Sequence, residues 1–548
     1  MPAMASARTE GTNLTRMFLL PTVLCLAWIY GYRISTDPLV WEEPRRCLVA
    51  MEMIERGDYV VPRLLGKIYR NKPPLQNWLL VLLSGNRVDR VQAFPLRLTS
   101  LLALAGTAIL LRSLCRAPGW PEPGWAPAVM FVSIGIVMQY GRTGEVDGLF
   151  AFWVAASLWS FETGRRKRSP WRQWFLSQTL LGPGILTKGI SPLFFYPPVL
   201  WLAVRNRRDF PFSLKAFLAG LASEVSIVAA WLVPYSSAAS LASLGRNLWS
   251  GEALSRTPFA SSLGAFLEHL FVFPFEVLGS LLPWSAAALL WLAPGIRSYC
   301  FGRIRENAAL RLCLGILLWG FVLFWLMPGA KGRYLIPVYP FVSALVALTL
   351  EGASLAGPSS RSIQKILDGR TCRFLRRSFV ETRTGWGIAA LAWSATLGVV
   401  RAMSPHLPVV QPLVAGLFIL TAGSWWVRKI PSIRILQVLL VCSLLYGTAY
   451  AGLVAAHRAQ KQQRSLEPVR QILAEIREDL PVVCGRGINR GGIHLLAVRL
   501  GRVPQQSPPA QGDYYLIGSI SEPPDTEGSL VVQAPPLALW RVDRGKGT

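Results

Sequence analysis

Apolar runs long enough to cross a lipid bilayer recur along this 548-residue chain and constrain its fold more than any other feature. A membrane-spanning helix needs about 20 mostly apolar residues, because the hydrocarbon layer offers no water to satisfy backbone groups. The candidate spans are residues 17–34, 95–114, 123–140, 148–162, 174–187, 190–204, 215–235, 276–293, 311–328, 335–352, 386–402, 409–427 and 435–455. The sequence therefore predicts an all-α polytopic membrane protein with about thirteen transmembrane helices. Gly182-Pro183-Gly184 leaves open whether residues 174–204 hold one broken helix or two short ones.

Composition excludes the other broad classes of protein. Hydrophobic residues make up 52% of the chain and charged residues 16%, against about 25% charged residues in ordinary soluble domains. So apolar a chain is neither disordered nor a typical soluble enzyme. A net charge of +27 would suit nucleic acid, but the Lys and Arg residues lie between the apolar runs and act as a topology signal. We therefore expect no nucleic-acid partner.

Lys and Arg concentrate in alternate loops of the predicted bundle. The basic clusters are residues 165–168, 205–208, 376–377 and 428–429, together with Arg297, Arg303 and Arg305. Because loops on the cytoplasmic side carry an excess of Lys and Arg, these clusters predict a cytoplasmic N-terminus and an extracytoplasmic C-terminus. The opposite face of the bundle is called the outer face below.

The chain divides into a membrane region and a polar tail. Residues 1–455 form the predicted transmembrane domain, with two long outer loops at 35–94 and 236–275 that are rich in Trp and Phe. Residues 456–548 form a predicted small extracytoplasmic domain. Its helical pattern runs from Leu466 to Ile476 and is followed by β-like runs at 481–484, 514–517 and 530–532. This succession predicts a small α/β soluble domain.

The first outer loop begins with an amphipathic stretch. Apolar residues between Leu48 and Met53 alternate with Arg45, Glu52 and Glu55, as on a helix that lies in the membrane interface. By itself this pattern is equally typical of a solvated amphipathic helix.

The eight Cys and four His residues show no metal-type spacing. Only Cys47 and Cys484 face the outside in the predicted topology. A disulfide between the two loops and a pair of unpaired thiols are both compatible with the sequence, and we expect unpaired thiols.

A series of short motifs follows along the membrane region. The motifs are Glu42-Glu43-Pro44-Arg45, Glu52-Met53, Gly57-Asp58 with Pro62, Lys72-Pro73-Pro74-Leu75 with Trp78, Asp147-Gly148-Leu149, Leu186-Thr187-Lys188-Gly189, Leu282-Pro283-Trp284, and Lys331 with Tyr334, Pro337 and Pro340. In this order they resemble the aminoarabinose (lipid A) transferase family, which is similar to the protein O-mannosyltransferases. Each motif alone is only weakly specific for the family, but their occurrence together in this order is strong evidence for the resemblance.

The resemblance implies a fold, a reaction and a location. Members of this family are multi-span helical bundles with an active site on the outer face. They are glycosyltransferases that take a sugar from a polyprenyl-phosphate donor, and direct displacement with inversion at the anomeric carbon is implied. The acceptor expected here is lipid A, another envelope glycan or a protein hydroxyl. The implied location is the bacterial inner membrane, with membrane lipids around the bundle.

Chemistry gives roles to the cationic residues of these motifs. Breaking the anomeric C–O bond leaves negative charge on the departing lipid phosphate, and positioned cations stabilise that charge. The candidate donor-phosphate ligands are Lys72, Lys188, Arg256, Lys331, Arg333 and Tyr334. The positive-inside rule disfavours Lys188 and Lys331 in outer loops, so topology does not explain them. Tyr334 is either a phosphate hydrogen-bond donor or an aromatic residue of the headgroup belt.

Carboxylates are needed to orient the acceptor or to take its proton. Glu42 and Asp147 are the catalytic candidates, with Glu43 and Arg45 in support. Asp147 also suits the N-cap of a helix beginning at Gly148. Position 42 is Glu where the family usually has Asp, so Glu43 is an alternative for this role. Glu145 is expected to be a solvated loop charge.

We expect no cofactor and no bound metal. Asn71 stands before Lys72 where many relatives have a Glu, and the relatives that hold a metal there use that Glu. A divalent ion would need a set of ligands, and the sequence shows none.

Two other functions remain compatible with the sequence. The first is a transporter or flippase of lipid-linked sugars, although such proteins place charges near the bilayer midplane rather than at one face. The second is a non-catalytic envelope assembly protein that kept the bundle, which the Glu at position 42 leaves open.

Overall fold

The computed structural model is mostly helical. It describes residues 20–117, 119–121, 124–246, 262–355, 383–403, 409–429, 434–458, 471–472, 475–476, 480–484, 514–519, 529–534 and 537–542. The α-helices are Leu20–Gly31, Glu43–Arg56, Leu75–Leu83, Ala93–Leu114, Ala126–Val132, Gly135–Gly141, Val146–Arg166, Ser177–Thr179, Leu181–Lys188, Pro197–Arg205, Leu214–Ala238, Leu241–Arg246, Leu263–Ser280, Pro294–Glu306, Ala308–Trp325, Tyr339–Leu355, Arg383–Met403, Val410–Lys429 and Arg434–Ala449. Tighter or wider helical turns occupy Val88–Arg90, Trp171–Leu176, Ser191–Phe195, Trp284–Leu292, Gly332–Leu335 and Tyr450–Val454.

Several of the described helices have the length and apolar character of membrane spans. Five are long enough to cross a bilayer: Ala93–Leu114, Leu214–Ala238, Leu263–Ser280, Ala308–Trp325 and Leu436–Arg458. Four shorter apolar helices accompany them: Leu20–Gly31, Tyr339–Leu355, Trp386–Ala402 and Val410–Trp425. The prediction of a helical, multi-pass membrane protein is thus confirmed, and the number thirteen stays a prediction.

One predicted span is divided in the structure, and two neighbouring predicted spans are separated by a turn. In place of the predicted span 123–140 there are two short helices, Ala126–Val132 and Gly135–Gly141, with a break at Ser133 that a distant segment fills. The indole N–H of Trp284 donates to the Ser133 hydroxyl at 3.1 Å, and the N–H of Gly135 donates to the carbonyl of Leu282. Between the predicted spans 174–187 and 190–204 the chain turns at Gly189, whose φ of +63° favours glycine.

The predicted second outer loop, 236–275, is partly helical. An apolar helix begins at Leu263, well before the expected start of a span at residue 276. Glu268 and His269 interrupt the apolar run without ending this helix, and the His269 ring hydrogen-bonds the carbonyl of Phe324 at 3.1 Å. Residues 247–261 of the loop lie outside the described residues.

Large aromatic side chains fill the interior of the bundle. Phe131, Phe161, Trp174, Phe195 and Trp284 are fully buried and belong to one continuous apolar core. Phe161 meets Trp174 edge to face, with ring centroids 5.2 Å apart. Such close packing makes the bundle a stiff frame for the residues at its ends.

Two of the basic loops meet at one end of the bundle. The guanidinium of Arg165 lies 5.5 Å from the centre of the Phe210 ring. Glu162 accepts hydrogen bonds from both Arg165 and Arg166 at 2.7 Å. These loops therefore share an end, as the charge pattern predicts, and the assignment of that end to the cytoplasm stays a prediction.

A four-stranded sheet follows the membrane helices. Its strands lie in the order Val482–Cys484, Tyr514–Ser519, Leu537–Val542 and Ser529–Ala534; the first pair is parallel and the others are antiparallel. All three predicted β runs are strands. Most of the predicted helix at 466–476 lies outside the described residues, so a separate α/β domain stays a prediction.

One buried arginine holds the start of the outer loop against the bundle. Arg97, in the helix Ala93–Leu114, is 3% exposed, and all of its N–H groups are used. It donates two hydrogen bonds of 2.8 Å to the carboxylate of Glu43. Its other donors reach the carbonyls of Ile34, Asp37 and Pro38 at 2.7–2.9 Å. The planar guanidinium suits this fork-like arrangement.

Glu43 is equally satisfied on its own side. Its oxygens also accept the N–H groups of Val40 and Gly144, each at 2.7 Å. The pair thus joins three pieces of chain that are far apart in sequence: the outer loop, the helix Ala93–Leu114 and the segment before Val146–Arg166. Breaking such a pair on one side leaves a buried charge without compensation.

Arg97→Met should lower the free energy of unfolding by about 3–5 kcal/mol, because the carboxylate of Glu43 would stay buried and unpaired. Arg97→Lys keeps the positive charge but not the five N–H donors. Its free energy of unfolding should therefore lie between those of the Arg97→Met variant and the wild type. Denaturant unfolding in lipid nanodiscs measures this difference. Arg87→Met is the matched control, since Arg87 pairs with Asp89 on the surface. Equal stability of the Arg97→Met and Arg87→Met variants would refute the anchoring role.

Candidate active site

The amphipathic stretch of the first outer loop is the helix Glu43–Arg56. Pro44 stands in its first turn, where a missing N–H costs nothing, and Gly57 ends it with a φ of +64°. Cys47 to Met53 are buried along it, so the helix is packed rather than solvated. Cys47 is a free, buried thiol, and the side chain of Cys484 lies outside the described ones.

Specific hydrogen bonds hold the loop that follows this helix. Glu52 accepts the N–H of Gly66 at 2.9 Å, within a small hairpin formed by Arg63–Leu64 and Lys67–Ile68. The indole of Trp78 donates to the carbonyl of Tyr59 at 2.7 Å, and that of Trp231 donates to Val60 at 2.9 Å. The loop is therefore fixed where it carries Lys72 toward the bundle.

A polar cavity of about 180 Å³ lies where this loop meets the helix ends. The residues that line it are Glu42, Arg45, Arg46, Tyr69, Asn71, Lys72, Glu145, Val146, Asp147, Lys188, Arg333 and Tyr334. Seven of them are site residues predicted from the motifs, and they come from four separate parts of the chain. Arg46, Tyr69 and Glu145 are additional members that the motifs did not indicate.

Asp147 and Lys188 form an ion pair inside this cavity. The ammonium of Lys188 lies 2.6 Å from Oδ1 of Asp147, and both side chains are largely buried. The same ammonium stands 4.8 Å from the ring centre of Phe150 and 5.1 Å from that of Tyr334. The helix begins at Val146 with Glu145 as its N-cap, so Asp147 is not the cap that its sequence position suggested.

Arg333 faces the same cavity from the other side. Its guanidinium lies 5.5 Å from the ring centres of both Tyr140 and Tyr334. Burial works against the charged form, yet nearby Asp147 holds the pKa of Arg333 above its ordinary value. Arg333 is therefore a permanent cation next to the Asp147–Lys188 pair.

Glu42 pairs with Arg45 on its own helix. Side-chain exposures of 39% for Glu42 and 27% for Arg45 leave both groups partly open to solvent. Deeper in the cavity, buried Arg46 donates to the Tyr69 hydroxyl at 3.3 Å.

Glu145 is not the solvated loop charge that the sequence suggested. It is 3% exposed, and its Oε1 accepts the backbone N–H of Glu42 at 3.1 Å. Burial raises the pKa of the Glu145 carboxyl to about 7, with the charge of Arg46 opposing this shift. The sequence missed this because the burial depends on contacts with a loop one hundred residues earlier.

The remaining predicted site residues lie elsewhere. Glu43 is enclosed by Arg97 and does not line the cavity. Lys331 is exposed at the start of the turn Gly332–Leu335 and does not line it either. Arg256 lies outside the described residues. Within the described ranges, no three His, Cys, Asp or Glu side chains form a group that could hold a metal ion.

A second, mostly apolar cavity of about 300 Å³ adjoins the polar one. Asn71, Lys72, Lys188 and Tyr334 line both cavities. The rest of the second lining is largely hydrophobic, and its large side chains are Phe150, Ile185, Phe194, Trp231, Leu232, Phe324 and Met327. A cation-rich cavity thus shares part of its wall with a cavity suited to hydrocarbon.

Bundle and cavities together define a multi-pass helical membrane protein with a polar site at one end and an apolar chamber beside it. The sequence profile of the dolichyl-phosphate-mannose-protein mannosyltransferase family matches residues 71–233, which include Lys72, Asp147 and Lys188. The resemblance to lipid-phosphate glycosyltransferases is thereby supported over the segment that forms much of the site.

Individual relatives bear the names of aminoarabinose transferases. An undecaprenyl phosphate-alpha-4-amino-4-deoxy-L-arabinose arabinosyl transferase of Pseudomonas fluorescens is 27% identical over 202 residues, which are 35% of this chain and 34% of that protein. One of Edwardsiella ictaluri is 26% identical over 324 residues, or 56% of this chain and 55% of that protein. The matches thus span about a third to a half of these relatives. They confirm the predicted resemblance to this family.

A solved structure extends the likeness to almost the whole chain. The crystal structure of ArnT from Cupriavidus metallidurans bound to undecaprenyl phosphate has a TM-score of 0.67 to this chain at 17% identity. The match covers 96% of this chain and 98% of that one. The two proteins therefore share a fold.

Asp147→Asn and Lys188→Met should each destabilise the protein, because each leaves one buried charge without its partner. The double variant should lose less stability than the sum of the two, with a coupling energy of about 0.5–3 kcal/mol. Unfolding of all four proteins in nanodiscs completes this cycle. Strictly additive losses would mean that the ion pair does not form in the folded protein.

Proposed function

We propose that this chain is an integral-membrane glycosyltransferase that moves a sugar from a polyprenyl-phosphate donor to an acceptor outside the cytoplasm. One observation supports this most: a cation-rich cavity shares Lys72, Lys188 and Tyr334 with an apolar cavity. A polyprenyl phosphate has the same two parts, an anionic head joined to a hydrocarbon tail. The relatives named above act on undecaprenyl-phosphate-linked aminoarabinose by their names.

The phosphate would bind to the cationic side of the polar cavity. Arg45, Arg46 and Arg333 line it, and the buried Nε atom of each has no hydrogen-bond partner among the described residues. Buried donors are normally paired, so three such groups around one cavity suit an anionic ligand. Lys72 and Lys188 add point charges at the wall shared with the apolar cavity.

The same cations would assist the reaction itself. When the anomeric C–O bond breaks, its electron pair goes to the lipid phosphate, and the charge of that leaving group grows. Cations held in place by the protein stabilise this charge without reorganising. Asp147 would fix the position of Lys188 through their ion pair, and Tyr334 would donate to the phosphate.

The acceptor would approach the cavity past Glu42. Of the three cavity carboxyls, that of Glu42 is the most exposed to solvent. It stands beside Arg45, where it can orient an incoming hydroxyl group. Direct displacement on the face of the anomeric carbon opposite to the lipid phosphate would invert the anomeric configuration. The acceptor would be lipid A, another envelope glycan or a protein.

The charge pattern and the family likeness support a proposal for the location. We place the bundle in a bacterial inner membrane with the N-terminus in the cytoplasm and the polar cavity on the outer face. Residues 456–548 would then lie outside the cytoplasm and could guide the acceptor. Arg256, a cation of the second outer loop, is proposed as a further phosphate ligand from the sequence alone.

Cells with and without the gene should differ by one sugar-sized mass in one class of envelope lipid or glycoprotein. Lys72→Met should abolish this mass and reduce transfer by the purified protein about 100-fold or more, because one stabilising cation is removed. Lys67→Met is the matched control, since exposed Lys67 lies in the same loop away from the cavity. Mass spectrometry of envelope fractions gives the readout.

The outcomes separate the candidate functions. No mass change in any envelope fraction would refute the transferase, and a lipid-flipping assay in proteoliposomes would then test the transporter. Inactivity in both assays would leave the non-catalytic assembly role.

A further inference from the structure

Glu145 is an N-cap residue whose side chain does not cap its helix. It precedes the helix Val146–Arg166 with an extended backbone, and its side chain makes no capping hydrogen bond. The carboxyl instead lines the polar cavity beside Glu42 and Asp147. Its Oε1 accepts the N–H of Glu42, and no other hydrogen bond to this carboxyl is found among the described residues.

The backbone around Glu145 is held from several directions. The N–H of Gly144 donates to Glu43 at 2.7 Å, and its carbonyl accepts from Gln76 at 2.6 Å. The carbonyl of Glu145 accepts the hydroxyl of Ser100 at 3.1 Å. A side chain at position 144 would strike Leu96, whose Cγ lies 2.2 Å from where a Cβ would stand. The carboxyl of Glu145 is therefore placed with little freedom.

Its electrostatic surroundings differ from those of the other two cavity carboxyls. Asp147 is neutralised by Lys188, and Glu42 by Arg45. Within the part of the chain that the structure describes, no ion pair involves Glu145; Arg46 acts on it only through longer-range attraction. Of the three cavity carboxyls, that of Glu145 therefore has the weakest interaction with a cation.

We propose that Glu145 is the general base of the transfer reaction; this rests on the proposed glycosyltransferase function. The acceptor's hydroxyl proton passes to a carboxylate oxygen of Glu145 as the acceptor oxygen bonds to the anomeric carbon. The anomeric C–O bond to the lipid phosphate breaks, and the phosphate keeps its electron pair. Glu145 returns the proton to water once the product has left.

The charged groups around Glu145 suit this task. Arg46 faces it from the outer helix and favours the ionised form, while Asp147 and Glu43 disfavour it. The hydroxyl of Tyr140 is also near enough to interact electrostatically. The resulting pKa of about 7 lets the group both accept and release a proton near neutral pH. Activity should therefore rise with pH through about 7 as Glu145 loses its proton.

Glu145→Gln tests the proposal, because Gln keeps the shape and can still accept the N–H of Glu42. The full-length protein in nanodiscs is added to membranes of cells that lack it, which supply donor and acceptor, and transferred sugar is followed by mass. The rate of transfer should fall about 100-fold or more. The affinity for undecaprenyl phosphate should change less than about 2-fold. The dependence of the transfer rate on pH near 7 should disappear. Glu145→Asp should recover part of the rate together with the pH dependence. Exposed Glu55→Gln is the control.

Other outcomes overturn the inference. Near wild-type transfer by a folded Glu145→Gln variant would reduce Glu145 to a structural role, and loss of the pH dependence in Glu42→Gln alone would assign the base to Glu42. If the Glu145→Gln variant does not fold, the pH profile of the wild-type protein still tests the proposal. A wild-type transfer rate that does not change near pH 7 would refute it. Wild-type protein that binds undecaprenyl phosphate but transfers nothing would instead refute the proposed function itself.

Discussion

The buried pair of Arg97 and Glu43 is the interaction on which the polar cavity depends. Both side chains are almost fully buried, and every donor and acceptor of the pair has a partner. Through it the outer helix, with Glu42 and Arg45 at its start, is tied to the membrane bundle. Through Gly144 it also fixes the segment that carries Glu145 and Asp147. A single ion pair thus places carboxyls from two distant parts of the chain in one cavity.

Charge within the cavity explains why its natural ligand should be an anion. Five cationic side chains and three carboxyls line it, so positive charge is in excess before any ligand binds. Asp147 lies against Lys188 and Glu42 against Arg45, and the surplus of cations over carboxyls, to which Arg46, Arg333 and Lys72 contribute, favours an anionic ligand such as a phosphate. The apolar chamber beside these residues restricts the choice further, because a soluble phosphate ester would leave it unfilled.

The sequence predicted the parts of this architecture that depend on local pattern. Apolar runs located the helices, and the ordered motifs singled out Lys72, Asp147 and Lys188, which line one cavity in the structure, while their catalytic roles stay a prediction. Local sequence patterns do not predict long-range contacts. The break at Ser133 within the predicted span 123–140 depends on Trp284, and the burial of Glu145 depends on Glu42. Glu43 appeared as a possible catalytic residue because sequence shows adjacency but not the Arg97 that encloses it.

The most direct test of this account is an experimental structure with undecaprenyl phosphate bound in nanodiscs. We predict that the phosphate lies within hydrogen-bond distance of Arg333 and of Lys72 or Lys188, with the prenyl tail in the chamber lined by Phe150 and Trp231. The carboxyl of Glu145 should stand on the far side of the phosphate, open to the acceptor. A phosphate bound outside the polar cavity, or a tail that leaves the apolar chamber empty, would contradict the account.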